Sequence, residues 1–67
     1  MSISYKPLWR VLVEKDMKKL ELRDLAGISN GTLSRLGKNQ PVTMEALEKI
    51  CIALDCRVED ILEFVKD

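Results

Sequence analysis

Asn30, Ser34 and Lys38 follow one another at i, i+4 and i+8, the spacing that lines side chains along one face of a helix. Gly31 and Arg35 fall beside them. The resulting arc carries hydrogen-bonding groups, one cation at its middle and one at its end, no acid, and a glycine near its start. Such a face can enter the major groove of DNA, about 12 Å wide, without acidic repulsion. Solvated helix faces usually mix both charge signs, and this one does not. The Asn30 amide has the geometry to pair with adenine, and Arg35 has the reach for guanine or a phosphate.

Other chemistries find few residues to use. The chain has no histidine and two cysteines; Cys51 and Cys56 lack the CxxC spacing and the additional ligands of metal and redox sites. They read as small core residues. No glycine-rich phosphate loop and no nucleophile with a base are evident, so we expect neither an enzyme nor a cofactor nor a small-molecule ligand. Trp9 is expected to be a core residue rather than a base-stacking platform.

The 67 residues, 46% hydrophobic and 33% charged, fit a single globular domain spanning 1–67. A chain of this length buries only about 60% of its unfolded surface, which leaves little core from which to carve a catalytic cleft. The net charge is zero but unevenly laid out. Residues 1–40 hold eight Lys/Arg against four acids, and residues 41–67 three against seven, so a basic half would face DNA and an acidic half would face away. No signal segment opens the sequence, and no apolar run approaches the roughly 20 residues of a membrane span. A cytoplasmic protein with reduced thiols and no membrane partner is the expectation.

Helical periodicity runs along almost the whole chain, and five short helices on one core are predicted, an all-α bundle around a central helix-turn-helix. The first starts near Pro7, which suits a helix start; Leu8, Val11 and Leu12 form its stripe, and Trp9 and Val13 broaden it as though it packed on two sides. The second runs from about Lys19 to Ala26, with Leu22 and Leu25 inward and Gly27 closing it. Ser29 caps the third, from about Asn30 to Lys38, with Leu33 and Leu36 inward; Asn39 and Pro41 end it. Thr43 caps the fourth, whose inner face is Met44, Leu47, Ile50, Cys51 and Leu54, with Glu45 and Lys49 paired outside. After a break at Asp55–Arg57, a fifth helix is predicted from Val58 to about Val65, with Val58, Ile61, Leu62 and Val65 inward.

The stretch Leu22-Arg23-Asp24-Leu25-Ala26-Gly27-Ile28-Ser29-Asn30-Gly31-Thr32-Leu33-Ser34-Arg35-Leu36 resembles the helix-turn-helix of phage-repressor and Cro-like (Xre-type) regulators. Tyr5-Lys6-Pro7-Leu8-Trp9 resembles the opening of a short bacterial single-domain subgroup. Leu47 to Cys56 and Val58 to Leu62 resemble its last two helices. The resemblance implies a repressor-like domain that binds double-stranded DNA, usually as a dimer on a palindromic operator. It implies base reading by Asn30 and Gly31, then by Ser34 and Arg35. Lys19 at the start of the second helix, with Lys38, Asn39 and Gln40, falls where the family contacts phosphates; Lys18, Ser29 and Thr32 are added as phosphate candidates. Three positions depart from the pattern: Lys18 stands where a capping Ser or Thr is usual, Arg23 replaces a small residue, and Gly31 has no side chain for reading.

Ile52 and Phe64 lie off or at the edge of their helix stripes. Each is either an isolated exposed apolar residue or part of a subunit interface; in the second case they join two copies in a weak homodimer. Fold alone also admits another function, a regulatory module that binds protein through the same surface.

Overall fold

The computed structural model describes residues 1–66. In chain order they form β1 (Ser2–Ser4), α1 (Lys6–Glu14), α2 (Lys19–Ala26), α3 (Asn30–Gly37), α4 (Met44–Leu54), a 3-10 turn (Val58–Asp60) and β2 (Glu63–Val65). Local chemistry sets the helix starts. Pro7 sits in the first turn of α1, where its missing N–H leaves no carbonyl unpaired. The Ser29 and Thr43 hydroxyls each accept a first-turn backbone N–H, from Thr32 and Ala46, both at 3.1 Å. Lys18 has no acceptor to offer α2; instead the Glu21 carboxylate takes the Lys18 N–H at 3.1 Å, half of a capping box.

All four helices stop in the same way. Asp16, Gly27, Asn39 and Asp55 adopt left-handed backbone, with φ of 54°, 72°, 55° and 51°. The next residue turns its N–H back onto the carbonyl five positions earlier: Met17 to Leu12, Ile28 to Arg23, Gln40 to Arg35, and Cys56 to Cys51, at 2.9–3.2 Å. These bonds satisfy carbonyls that a helix end otherwise leaves open. Gly, Asn and Asp are the residues that tolerate this conformation.

The core joins Tyr5, Leu8, Leu12, Leu22, Ile28, Leu36, Ala46, Leu47, Ile50, Leu54 and Ile61. Several sequence expectations about it need correction. Leu25 and Val13 are exposed, so α2 buries Leu22 alone and α1 packs on one side, through Leu8 and Leu12. Met44, the first residue of α4, is also exposed: Ala46 takes the inward position in that turn, and a first-turn residue extends beyond the layer it would cover.

The larger correction is at the C-terminus: the fold is neither all-α nor five-helical. The segment from Val58 to Val65 makes one 3-10 turn and then a strand antiparallel to the N-terminus, with Ser2 opposite Val65, Ile3 opposite Phe64 and Ser4 opposite Glu63. Eight residues make a marginal helix on their own, whereas Phe64 and Val65 suit a strand and pairing with β1 satisfies backbone groups at both ends of the chain. Of the four residues expected inward, only Ile61 is fully buried; Leu62 is half-buried, and Val58 and Val65 are exposed.

Three weak acids, the buried Tyr5 and the half-buried Cys51 and Cys56, are expected to make this fold sensitive to alkali. Burial, then the neighbouring Cys51 thiol and Asp60, raises the Cys56 thiol to about 11. Burial also raises Cys51, with the Cys56 thiol opposing, and it raises the Tyr5 phenol, with the Val42 backbone opposing. A raised acid favours its neutral form in the folded state. Its contribution is complete below the unfolded pKa and is lost as pH climbs through the folded one. Unfolding free energy should therefore hold near neutrality and fall from about pH 9 to about 11. Denaturant titrations across that range, repeated with Cys56→Ala, check this; the same slope in the variant would remove Cys56 as a cause.

Candidate nucleic-acid interface

The α2–α3 pair is held from beneath. Leu22 and Leu36 have no exposed surface, and Ile28, in the turn between the helices, is 9% exposed. Leu33 packs half-buried against the same core. With those residues inward, α3 turns Asn30, Gly31, Ser34 and Arg35 to solvent, and Lys38 follows at its C-terminal end. All five positions of the predicted arc are thus brought together on one exposed face. No Asp or Glu occurs anywhere between residues 25 and 44.

The flanking candidates are more constrained than their sequence suggests. The Lys19 ammonium sits 4.4 Å above the centroid of the Trp9 ring, a cation–π contact that fixes its direction at the start of α2. Trp9 is half-buried against the core. Lys18 is exposed next to it. The Ser29 hydroxyl donates to Thr32 Oγ1 at 3.1 Å while it caps α3, so these two hydroxyls already serve the helix end.

At the other end, Asn39 Oδ1 accepts the Tyr5 N–H at 3.0 Å, which leaves its NH2 group as the part able to meet a phosphate. Gln40 offers its carbonyl oxygen to the Tyr5 hydroxyl at 2.8 Å. Both residues are therefore fixed through Tyr5, a contact not apparent from helix periodicity. Ile52 and Phe64 are 73% and 66% exposed, on α4 and β2.

Sequence reasoning left one residue of this surface without a role. Arg23 extends from α2 across the turn and donates from Nη1 to Asn30 Oδ1 at 2.6 Å, while its Nε donates to Asp24 Oδ1 at 2.9 Å. The one sequence signal was a long cation where the family typically has a small residue.

Gly31 is not demanded by the backbone. Its φ is not positive, and a methyl built there would meet only Ser29 Oγ, at 3.7 Å, an ordinary contact. Gly31→Ala should therefore raise stability by about 0.5 kcal/mol through the unfolded state, measured by denaturant unfolding. A destabilised variant would show that the glycine is structural; a stable one makes any loss of DNA binding a report of close approach by the duplex.

Comparison with known proteins agrees with a helix-turn-helix fold. The family described as the Cro/C1-type HTH DNA-binding domain matches residues 7–67. An uncharacterized HTH-type transcriptional regulator of Bacillus subtilis (strain 168), YozG, is 39% identical, over 85% of this chain and 70% of that protein. The crystal structure of the transcriptional regulator VanUg superposes with a TM-score of 0.94 at 42% identity, over 98% of this chain and 88% of that one. With a matching profile over nearly its whole length and these two relatives, the chain belongs to the Cro/C1-type helix-turn-helix family and is a DNA-binding transcriptional regulator rather than an enzyme.

Proposed function

We propose that the protein recognises specific sites on double-stranded DNA by laying α3 in the major groove, with residues 1–67 acting as one unit. Asn30, Gly31, Ser34 and Arg35 face the base edges. Lys18, Lys19, Ser29, Thr32, Lys38, Asn39 and Gln40 lie along the phosphates. The observation that carries this reading is the exposed, acid-free face of α3, braced at its N-terminus by the Ser29 cap and beyond its C-terminus by Tyr5. A regulator working this way acts on the chromosome and so in the cytoplasm.

Phosphate contacts supply affinity that salt removes, because each neutralised phosphate releases condensed cations. Lys19→Ala and Lys38→Ala should each weaken binding to all sequences alike and lower the salt slope by about 1. Gel shifts across a salt series measure this. If neither variant changes affinity or slope while its fold is intact, the phosphate assignment fails.

One recognition helix reads only a few base pairs, too few to select one site among the competing sites of a genome. Two copies related by a two-fold axis double the contacts and set them about 34–36 Å apart on a palindromic operator. Ile52 and Phe64 are the apolar residues offered for that pairing. Seven acids in residues 41–67 would oppose one another across it, so the dimer is weak and completed on DNA. Light scattering over a concentration series, with and without a palindromic site, should find monomers alone and two copies per operator. A one-to-one complex on a single half-site would exclude this arrangement.

A further inference from the structure

Asn30 and Arg23 stand seven residues apart on different helices, yet a 2.6 Å hydrogen bond joins them. Asn30 is the first residue of α3 and is exposed, so nothing in the core holds its side chain. Unrestrained, its amide would rotate freely and could meet a base pair with either the oxygen or the NH2 group forward. Arg23 removes that freedom. The guanidinium is itself held from two sides, because Nε engages Asp24 Oδ1 at 2.9 Å while Nη1 engages Asn30 Oδ1. Asp24 accepts on one edge of the fork and Asn30 next to it, which fixes the plane of the group as well as its position. The Gly27 turn, with its left-handed φ of 72°, is what brings the last turns of α2 to the first residue of α3.

We infer that Arg23 is a specificity-determining positioning residue for DNA recognition: by holding Asn30 Oδ1, it presents the Asn30 amide to the major groove in one orientation. The inference rests on the base-reading role proposed for Asn30. With Oδ1 held on the α2 side, the NH2 group leads toward the duplex, a donor suited to the acceptors at base edges. The ordering is complete before DNA arrives, so its entropy is not lost on binding. Asp24 takes part as well: it partly neutralises the Arg23 charge, which fits a positioning group better than a phosphate clamp. A lysine cannot substitute, because a single ammonium lacks the rigid fork that reaches Asp24 and Asn30 together.

Two measurements on the full chain test this. The first uses the free protein: 15N relaxation of the Asn30 side-chain NH2 should report an ordered amide in the wild type and a mobile one in Arg23→Ala. An amide equally mobile in both would overturn the contact, whatever Asn30 does on DNA. The second selects binding sites from a random duplex pool with wild type, Asn30→Ala, Arg23→Ala, Arg23→Lys and the double variant Arg23→Ala/Asn30→Ala. Asn30→Ala should cost about tenfold in discrimination at one base-pair position. Arg23→Ala and Arg23→Lys should relax that same position, and the double variant should be no less selective there than Asn30→Ala, since residues acting as a unit do not add.

If Asn30→Ala leaves the selected sites unchanged, the base-reading role fails and this proposal with it, while the relaxation data still report the contact. If Asn30→Ala relaxes the position but Arg23→Ala does not, or Arg23→Lys keeps full selectivity, the positioning role is overturned and Asn30 reads unaided. Uniform weakening of Arg23→Ala on all sequences, with a salt slope lower by about 1, would instead make Arg23 a phosphate contact and also overturn it. Arg23 lies on the surface side of α2, and thermal unfolding of each variant within a few degrees of wild type establishes that recognition, not folding, has changed.

Discussion

Tyr5 is 1% exposed and makes two hydrogen bonds that span about half the sequence, its N–H to Asn39 and its hydroxyl to the Gln40 carbonyl. The loop after α3 has little hydrophobic anchorage of its own, since Lys38, Asn39, Gln40 and Pro41 are all exposed. The left-handed Asn39 and the Gln40 N–H on the Arg35 carbonyl close the far end of α3 locally, and Tyr5 ties that closure to the core. A residue buried in the core and bonded through both its backbone N–H and its hydroxyl makes that loop part of the frame. The same residue sits between β1 and α1, so the strand pairing at the chain ends and the set of the recognition helix share one anchor.

Much of this architecture can be read from the amino-acid types, and the reasons are local. Ser29 and Thr43 cap because a hydroxyl oxygen at that position accepts a first-turn N–H that the helix leaves unpaired. Gly27 and Asn39 end their helices because few other residues accept a positive φ. The end of α2 at Gly27 and the starts of α3 and α4 follow from such signals. What cannot be read this way depends on distant partners. The Val58–Val65 segment has helical periodicity, and its last residues, Glu63–Val65, become a strand through pairing with Ser2–Ser4; three residues of alternation at each end are too few to register as a pattern. Leu25 and Met44 fit their stripes and are exposed, because a chain of 67 residues does not supply enough neighbours to cover every apolar position.

The candidate site divides along the same line. Periodicity suffices to bring Asn30, Gly31, Ser34 and Arg35 to one face, since helix geometry alone does so. It says nothing of what already holds those side chains. Asn30 is engaged by Arg23, Asn39 by Tyr5, Lys19 by Trp9, and Ser29 with Thr32. Each partner lies on another element or serves a helix end, so each becomes visible only with the fold. A surface ordered in this way loses less side-chain freedom on binding than one whose side chains are free.

Zero net charge looks unfavourable for a DNA-binding protein until lengths are compared. At physiological ionic strength a charge is screened within about 8 Å, whereas the molecule measures 32 × 24 × 17 Å. A bound duplex therefore responds to the groups within one screening length of it, not to the sum over the chain. Those of the recognition face are Arg35 and Lys38 with no acid between residues 25 and 44, and Arg23 is tempered locally by Asp24. The acidic C-terminal residues would act at longer range and lower salt, where an uneven charge distribution orients a protein on approach to DNA. Zero net charge is therefore compatible with DNA binding, because screening makes the charge near the contact count for more than the sum over the chain.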